Sequence, residues 1–176
     1  MKRLLILAPA LLLAVSAAAM AMAANDGAEH ASAALRNADG DAIGWARFTE
    51  DARGIVHVNV HVKGISPGAH GIHIHAVGAC SPTFAAAGGH HNPLSHQHGL
   101  DNPLGAHAGD LPVLLVNEEG VGHLNAITDL ATLSAGPTSI FDADGSALVI
   151  HASPDDQVTD PTGNSGGRIA CGVIEN

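Results

Sequence analysis

Residues 55–62 read IVHVNVHV, and this run constrains the fold more than any other part of the chain. Val56, Val58, Val60 and Val62 alternate with His57, Asn59 and His61. A period of two puts the valines on one dry face and the polar groups on a wet one, the signature of a half-buried strand. A helix would spread the same pattern around its whole circumference. Further extended segments recur at 31–37, 42–49, 70–77, 111–117, 121–128, 147–151 and 169–174, separated by turn residues such as Ala38-Asp39-Gly40 and Asp142-Ala143-Asp144-Gly145. The chain holds 21 glycines and 9 prolines, a punctuation density that suits short strands better than long helices. Eight strands and no amphipathic helix predict an all-β fold, an eight-stranded antiparallel Greek-key sandwich or flattened barrel. With aromatics at 2% and no tyrosine, its core must be built from Val, Ile, Leu and Ala. The 176 residues suit a single domain.

Residues 1–24 begin with Lys2 and Arg3, continue through an apolar run and end on Ala21-Met22-Ala23. That is the pattern of a secretory signal peptide with an A-x-A cleavage site, leaving 25–176 as the mature domain and 25–30 as a frayed end. An uncleaved anchor is the competing reading, and the small-residue tail weighs against it. Export to an oxidising compartment makes one disulfide between the only two cysteines, Cys80 and Cys171, the natural expectation, with two buried thiols as the alternative. Seven Lys and Arg stand against seventeen Asp and Glu, a formal net charge of −10. Phosphate backbones and anionic lipid would repel such a chain, so nucleic-acid and membrane-surface roles fall away.

The anomaly is histidine, with 13 residues. Imidazole is the commonest metal ligand, so function is sought where the histidines gather. In Gly71-Ile72-His73-Ile74-His75 the two imidazoles share one strand face. The pair alone is a weak signal, since His57 and His61 share a face in the same way. The stretch 78–110 has no sustained periodicity, and an ordered loop of that length is usually functional. It carries His90, His98, His107 and Asp110, with gaps of seven, eight and two residues. Three nitrogens and one carboxylate oxygen can close a tetrahedral zinc site with no open position. His151 adds an imidazole at a strand end, followed by Asp155. A set made only of imidazoles suits copper as well as zinc. A merely polar, histidine-rich surface loop is the alternative.

The stretches GIHIHAVG, GGHHNPLSHQHG, HAGDLP, LVIHASPDD and GNSGGRIACGVIE together resemble the copper–zinc superoxide dismutases of the exported bacterial kind. The resemblance runs from about Ala31 to the C-terminus. It implies that His73, His75 and His151 are copper ligands, that His90 bridges copper and zinc, and that His98, His107 and Asp110 complete the zinc set. Asp155 corresponds to a carboxylate that links a copper-ligand and a zinc-ligand histidine, and Cys80 and Cys171 to the family disulfide. Arg168 corresponds to the arginine that guides and holds the anion, and His70 to a buried histidine behind the copper ligands. The implied reaction converts two superoxide anions and two protons to dioxygen and hydrogen peroxide, with His90 as proton donor, in the periplasm. Relatives dimerise through different surfaces and some exported ones are monomers, so pairing with a second copy stays open. The loop 152–167 lacks the lysines that many relatives carry there, which predicts weak long-range steering of the substrate.

Two other classes compete. An exported copper- or zinc-handling protein without turnover would lack a copper ligand or the anion arginine. A zinc hydrolase would need an open zinc position beside a carboxylate base. His30, His57, His61, His91, His96 and His123 match no ligand position and are expected to be surface polar residues, with copper capture by His91 and His96 as the sharper alternative.

Overall fold

The structure is a computed structural model that describes residues 29–176. The leader expected over 1–24 therefore lies outside the described residues. Nine strands form one antiparallel sheet: β1 (Glu29–Asn37), β2 (Ala42–Glu50), β3 (Val56–Lys63), β4 (Gly68–His70), β5 (Ile72–His75), β6 (Leu114–Val116), β7 (Val121–Thr128), β8 (Ala147–His151) and β9 (Arg168–Glu175). The only helical element among the described residues is one 3-10 turn, Phe84–Ala87. The part of the expected frayed end that is described, Glu29 and His30, is already strand.

The strand order is β4-β6-β7-β3-β2-β1-β9-β8-β5. Its two edges, β4 and β5, are consecutive pieces of one segment divided at Gly71, so the ends of the sheet meet and the layer curls into a flattened, nearly closed barrel. This division turns the expected eight strands into nine. Gly71 sits where a Cβ would come within 2.6 Å of Ser165 Cβ. There its amide donates to Ser153 O (2.9 Å) and its carbonyl accepts from His151 N (2.8 Å). Strand β3 pairs with β7, which returns beside it after β4, β5 and β6, giving the Greek-key crossing.

Three hairpins use one device, an Asx side chain that takes backbone amides beside a glycine at positive φ. Asn37 Oδ1 accepts from Asp39 and Asp41, Asp51 Oδ1 from Arg53 and Ile55, and Asn117 Oδ1 from Val121. The interior is aliphatic: Leu35, Ala46, Phe48, Val58, Val62, Ile72, Ile74, Leu114, Leu148 and Ile150 are all essentially fully buried in one cluster. Strand β8 is buried at all five positions. Leu148 and Ile150 face the barrel core, while Ala147 and Val149 face a second cluster with Ala87, Cys171, Cys80 and Phe84. That second cover is the loop between β5 and β6, joined to β9 by the Cys80–Cys171 disulfide with a Cα–Cα distance of 5.8 Å.

Candidate metal centre

Strand β5 pairs with β8, bringing His73 opposite Val149 and His75 opposite Ala147. His151 ends β8 opposite Arg168 at the start of β9. The β5–β6 loop folds back over this corner. His75 and His90 form an isolated antiparallel bridge, as do His73 and Asp110, with Ile74 N donating to Gly109 O and His91 N to Ile74 O, each at 2.9 Å. Backbone ladders thus carry the loop histidines to the strand histidines. His73, His75, His90, His98, His107, His151, Asp110 and Asp155 are all buried.

The protons of three of these rings are assigned by their partners. His75 Nδ1 donates to Gly88 O (3.0 Å) and His151 Nδ1 to Gly166 O (3.1 Å). His73 Nε2 bonds Asp155 Oδ2 at 2.5 Å. The second nitrogens, His73 Nδ1, His75 Nε2 and His151 Nε2, are left with lone pairs. His75 Nε2 and His151 Nε2 face each other across 3.4 Å, and His73 Nδ1 and His90 Nε2 are buried with no partner at all. The ligand atoms of His73, His75, His90 and His151 lie within 4.8 Å of one another. Converging unpaired lone pairs in a dry site are costly unless a cation sits among them. The donor set therefore fits a metal, and four imidazoles suit copper.

On the other side of His90 the acceptor is Asp110. Its Oδ1 lies 2.9 Å from His90 Nδ1, 3.0 Å from His98 Nδ1 and 3.3 Å from His107 Nδ1, and His107 Nδ1 is 3.3 Å from His90 Nδ1. Asp110 Oδ2 is fixed by the amides of Gly99 (2.8 Å) and His107 (3.0 Å). A second group of donors within 4.8 Å contains His73, His90, His98 and Asp110. His73 commits Nε2 to Asp155, however, whereas His107 turns Nδ1 onto both His90 and Asp110, so His107 is the better fourth donor. Three imidazoles and one carboxylate, closed and buried, suit zinc. His90 belongs to both groups, one nitrogen to each.

Asp155 joins the two halves, accepting from His73 Nε2 through Oδ2 and from His98 Nε2 through Oδ1 at 3.0 Å. Gly163 makes this contact possible: it sits at φ 58°, and a Cβ there would overlap the Asp155 carboxylate and come within 2.7 Å of His98 Nε2. Arg168 is clamped by its donations from Nη1 to Phe84 O (2.6 Å) and from Nη2 to Gly88 O (2.5 Å). The Gly88 carbonyl therefore orients both His75 and Arg168.

Burial pushes His73 down to about 3 despite its bond to Asp155, His75 down to about 2 and His151 to about 4, with the Arg168 charge adding to the last two shifts. His90 is lowered by burial as well. All four rings are neutral near pH 7, the form that binds metal. Burial opposes charge on His98, but its bonds to Asp110 and Asp155 outweigh this and raise it to about 9. Burial likewise opposes ionisation of Asp110 and Asp155. The histidine bonds win, and both carboxyls are held far below the usual carboxylate range.

The structure brings every residue singled out by spacing or resemblance to this corner. His70 lies behind it, buried, with Nδ1 2.7 Å from His151 O and Nε2 2.8 Å from Ser66 O. One expectation fails: His91 is not a surface residue. It is 2% exposed, and its Nε2 points to Thr138 O at 3.3 Å, away from both clusters, because the bridge that seats His90 turns the next side chain to the opposite side of the loop. His96 is exposed and bonds Ala106 O. Sequence reasoning missed the carbonyls of Gly88 and Gly166 and the role of Asp160, whose Oδ1 accepts from His98 N at 2.7 Å. A glycine at positive φ two residues before His90 is the one local hint.

An all-β barrel carrying two buried donor sets that share one imidazole defines a dinuclear metalloprotein. The model of the copper/zinc superoxide dismutase family matches residues 42–174, and the chain belongs to that family. It is 44% identical over 147 residues to superoxide dismutase [Cu-Zn] 2 of Aquifex aeolicus, covering 82% of this chain and 85% of the relative. Identity to the superoxide dismutase [Cu-Zn] of Caulobacter vibrioides is 38% over 149 residues, with the same two shares covered. Among solved structures, a superoxide dismutase-like protein from Bacillus subtilis superposes with a TM-score of 0.74 at 39% identity, covering 80% of this chain and 95% of that one. Copper and zinc are the metals of the family, and dismutation of superoxide is its reaction.

Proposed function

We propose that this chain disproportionates superoxide, with His73, His75, His90 and His151 holding copper and His90, His98, His107 and Asp110 holding zinc. Two superoxide anions and two protons give dioxygen and hydrogen peroxide. Copper held by His73, His75, His90 and His151 would supply reversible one-electron redox chemistry. The chain's own residues supply geometry, charge and a proton. His90 Nε2, buried with no hydrogen-bond partner, would take up a proton when it is released from copper and would give that proton to the developing peroxide, its lone pair then being free to hold the metal again. Asp155 keeps His73 and His98 in fixed orientation, so the two halves of the centre move as one. Arg168, rigid on two carbonyls, offers its remaining N–H groups and its charge to the incoming anion.

The observation that carries this reading is His90, placed with Nδ1 against Asp110 and Nε2 among the histidines of β5 and β8. A metal-handling protein without turnover would lack one of the four imidazoles or the arginine, and this chain has them all. His75→Ala tests the reading: superoxide consumption should vanish while zinc is retained. Full consumption by the variant would refute it. The same proposal has residues 1–24 exporting the chain and 25–176 acting in the periplasm, supported by the basic start, the apolar run and the disulfide. Sequencing the N-terminus of the protein recovered from the periplasm tests the boundary, and an intact residue 1 on the recovered protein would overturn it.

A further inference from the structure

Four of the histidines outside the centre project from the outer face of the barrel, and two of them meet. His61 on β3 and His123 on β7 are directly opposite each other in the ladder. Their Nδ1 atoms are 3.2 Å apart, with ring centroids separated by 4.5 Å. Without metal, one Nδ1–H donates to the other nitrogen. The same placement fits chelation: with metal–nitrogen bonds of about 2.0–2.1 Å, a 3.2 Å separation corresponds to an angle of about 100° at a shared ion. Both rings reach solvent, so the other coordination positions are free for water. Along the sheet, β2, β1 and β9 lie between the pair and β8 on one side, and β6 and β4 lie between it and β5 on the other.

We infer that His61 and His123 form a third, peripheral metal site that takes a divalent transition ion of the imidazole-preferring class, such as Ni(II), Cu(II) or Zn(II). The neighbouring charges are cationic: Lys63 shares the face two residues from His61, and Arg47 stacks on Trp45 at 4.7 Å. No carboxylate lies beside either ring in the ladder, where the flanking partners are Trp45 and Leu115. Hard oxygen-seeking ions such as Ca(II) and Mg(II) are therefore excluded from the site, and affinity rests on the two nitrogens. Two ligands held ready on rigid strands bind about 100-fold more tightly than one exposed imidazole alone.

A reporter stands next to the site. Trp45, the sole tryptophan of the chain, lies across the β2–β3 ladder with its ring 6.0 Å from that of His61. An open-shell ion at the pair would quench its fluorescence. The test is titration of the copper- and zinc-loaded, disulfide-bonded protein with Ni(II), following Trp45 emission and bound nickel by equilibrium dialysis. The expected result is one equivalent of nickel that quenches Trp45 saturably. It should be lost in both His61→Ala and His123→Ala and kept in His30→Ala and His57→Ala, with superoxide consumption unchanged throughout. Unquenched emission in the native protein would overturn the site. So would an equivalent that survives in either pair variant, or one that disappears in His57→Ala.

Discussion

Strands β3 and β5 carry the same motif with opposite outcomes. Both set two histidines on one face between β-branched residues, four apart on β3 and two apart on β5, and in both the aliphatic face enters the core. On β3 the histidine face stays in contact with water, so His57 is exposed and His61 half-exposed. On β5 the same face is sealed, leaving His73 and His75 at 0% and 1% exposure. The strands share one in–out alternation. They differ in what covers them: the β5–β6 loop, tied by a disulfide and by the bridges to His90 and Asp110, and the β8–β9 loop, which brings Asp155. Spacing decides which side chains share a face. Cover decides whether that face is a wet surface or a dry metal cradle.

Removing the metals should break this contrast most strongly. The buried nitrogens of His73 and His90 would again lack partners, and the centre would lose ligand-linked stability of at least about 4 kcal/mol, a fall in melting midpoint on the order of 10 °C. Amide exchange should then accelerate in the loops over β5 and remain slow in β3, as measured by mass spectrometry. Cutting the tie comes next. The Cys80–Cys171 bond closes a separation of 91 residues, for which chain entropy gives at most about 4–5 kcal/mol. Cys171→Ser should lower stability to denaturant accordingly and loosen the Gly88 carbonyl that holds His75 and Arg168, reducing superoxide consumption per bound copper.

A smaller effect is expected where β2 meets a different loop. Glu50 is buried and accepts from Leu133 N, Ser134 N and Ser134 Oγ. Burial opposes its charge, yet these bonds outweigh it and hold the carboxyl below its ordinary value of 4.5. A carboxyl lowered in the folded state contributes stability that is fully present above the unfolded value and is lost as pH falls through the folded one. Glu50→Gln should therefore cost about 2 kcal/mol near pH 7 and flatten the loss of stability below about pH 4.5, seen in urea titrations at several pH values. The weakest expected response is to salt. With no lysine in the loop 152–167, the rate should change by less than about twofold between low and physiological ionic strength.

The comparison of β3 and β5 also marks how far the sequence can be read. The alternating valines of β3 and the Asx–Gly hairpins are local and legible. The break at Gly71 is not, because its cause is the approach of Ser165 from a distant loop. The histidine and aspartate sets can be assembled from side-chain type, spacing and family resemblance. The carbonyls of Gly88 and Gly166, which choose the tautomers of His75 and His151, leave no mark in side-chain chemistry. The burial of His91 escapes for the same reason, since it follows from the bridge that seats its neighbour.

All of this depends on one imidazole ring being shared by two different ions. Diffraction from the metal-loaded protein at the copper and zinc absorption edges tests that directly. The account predicts copper at His90 Nε2 and zinc at His90 Nδ1 in the same molecule. A map with either ion away from His90, or with one element on both sides of the ring after loading with both, would contradict it.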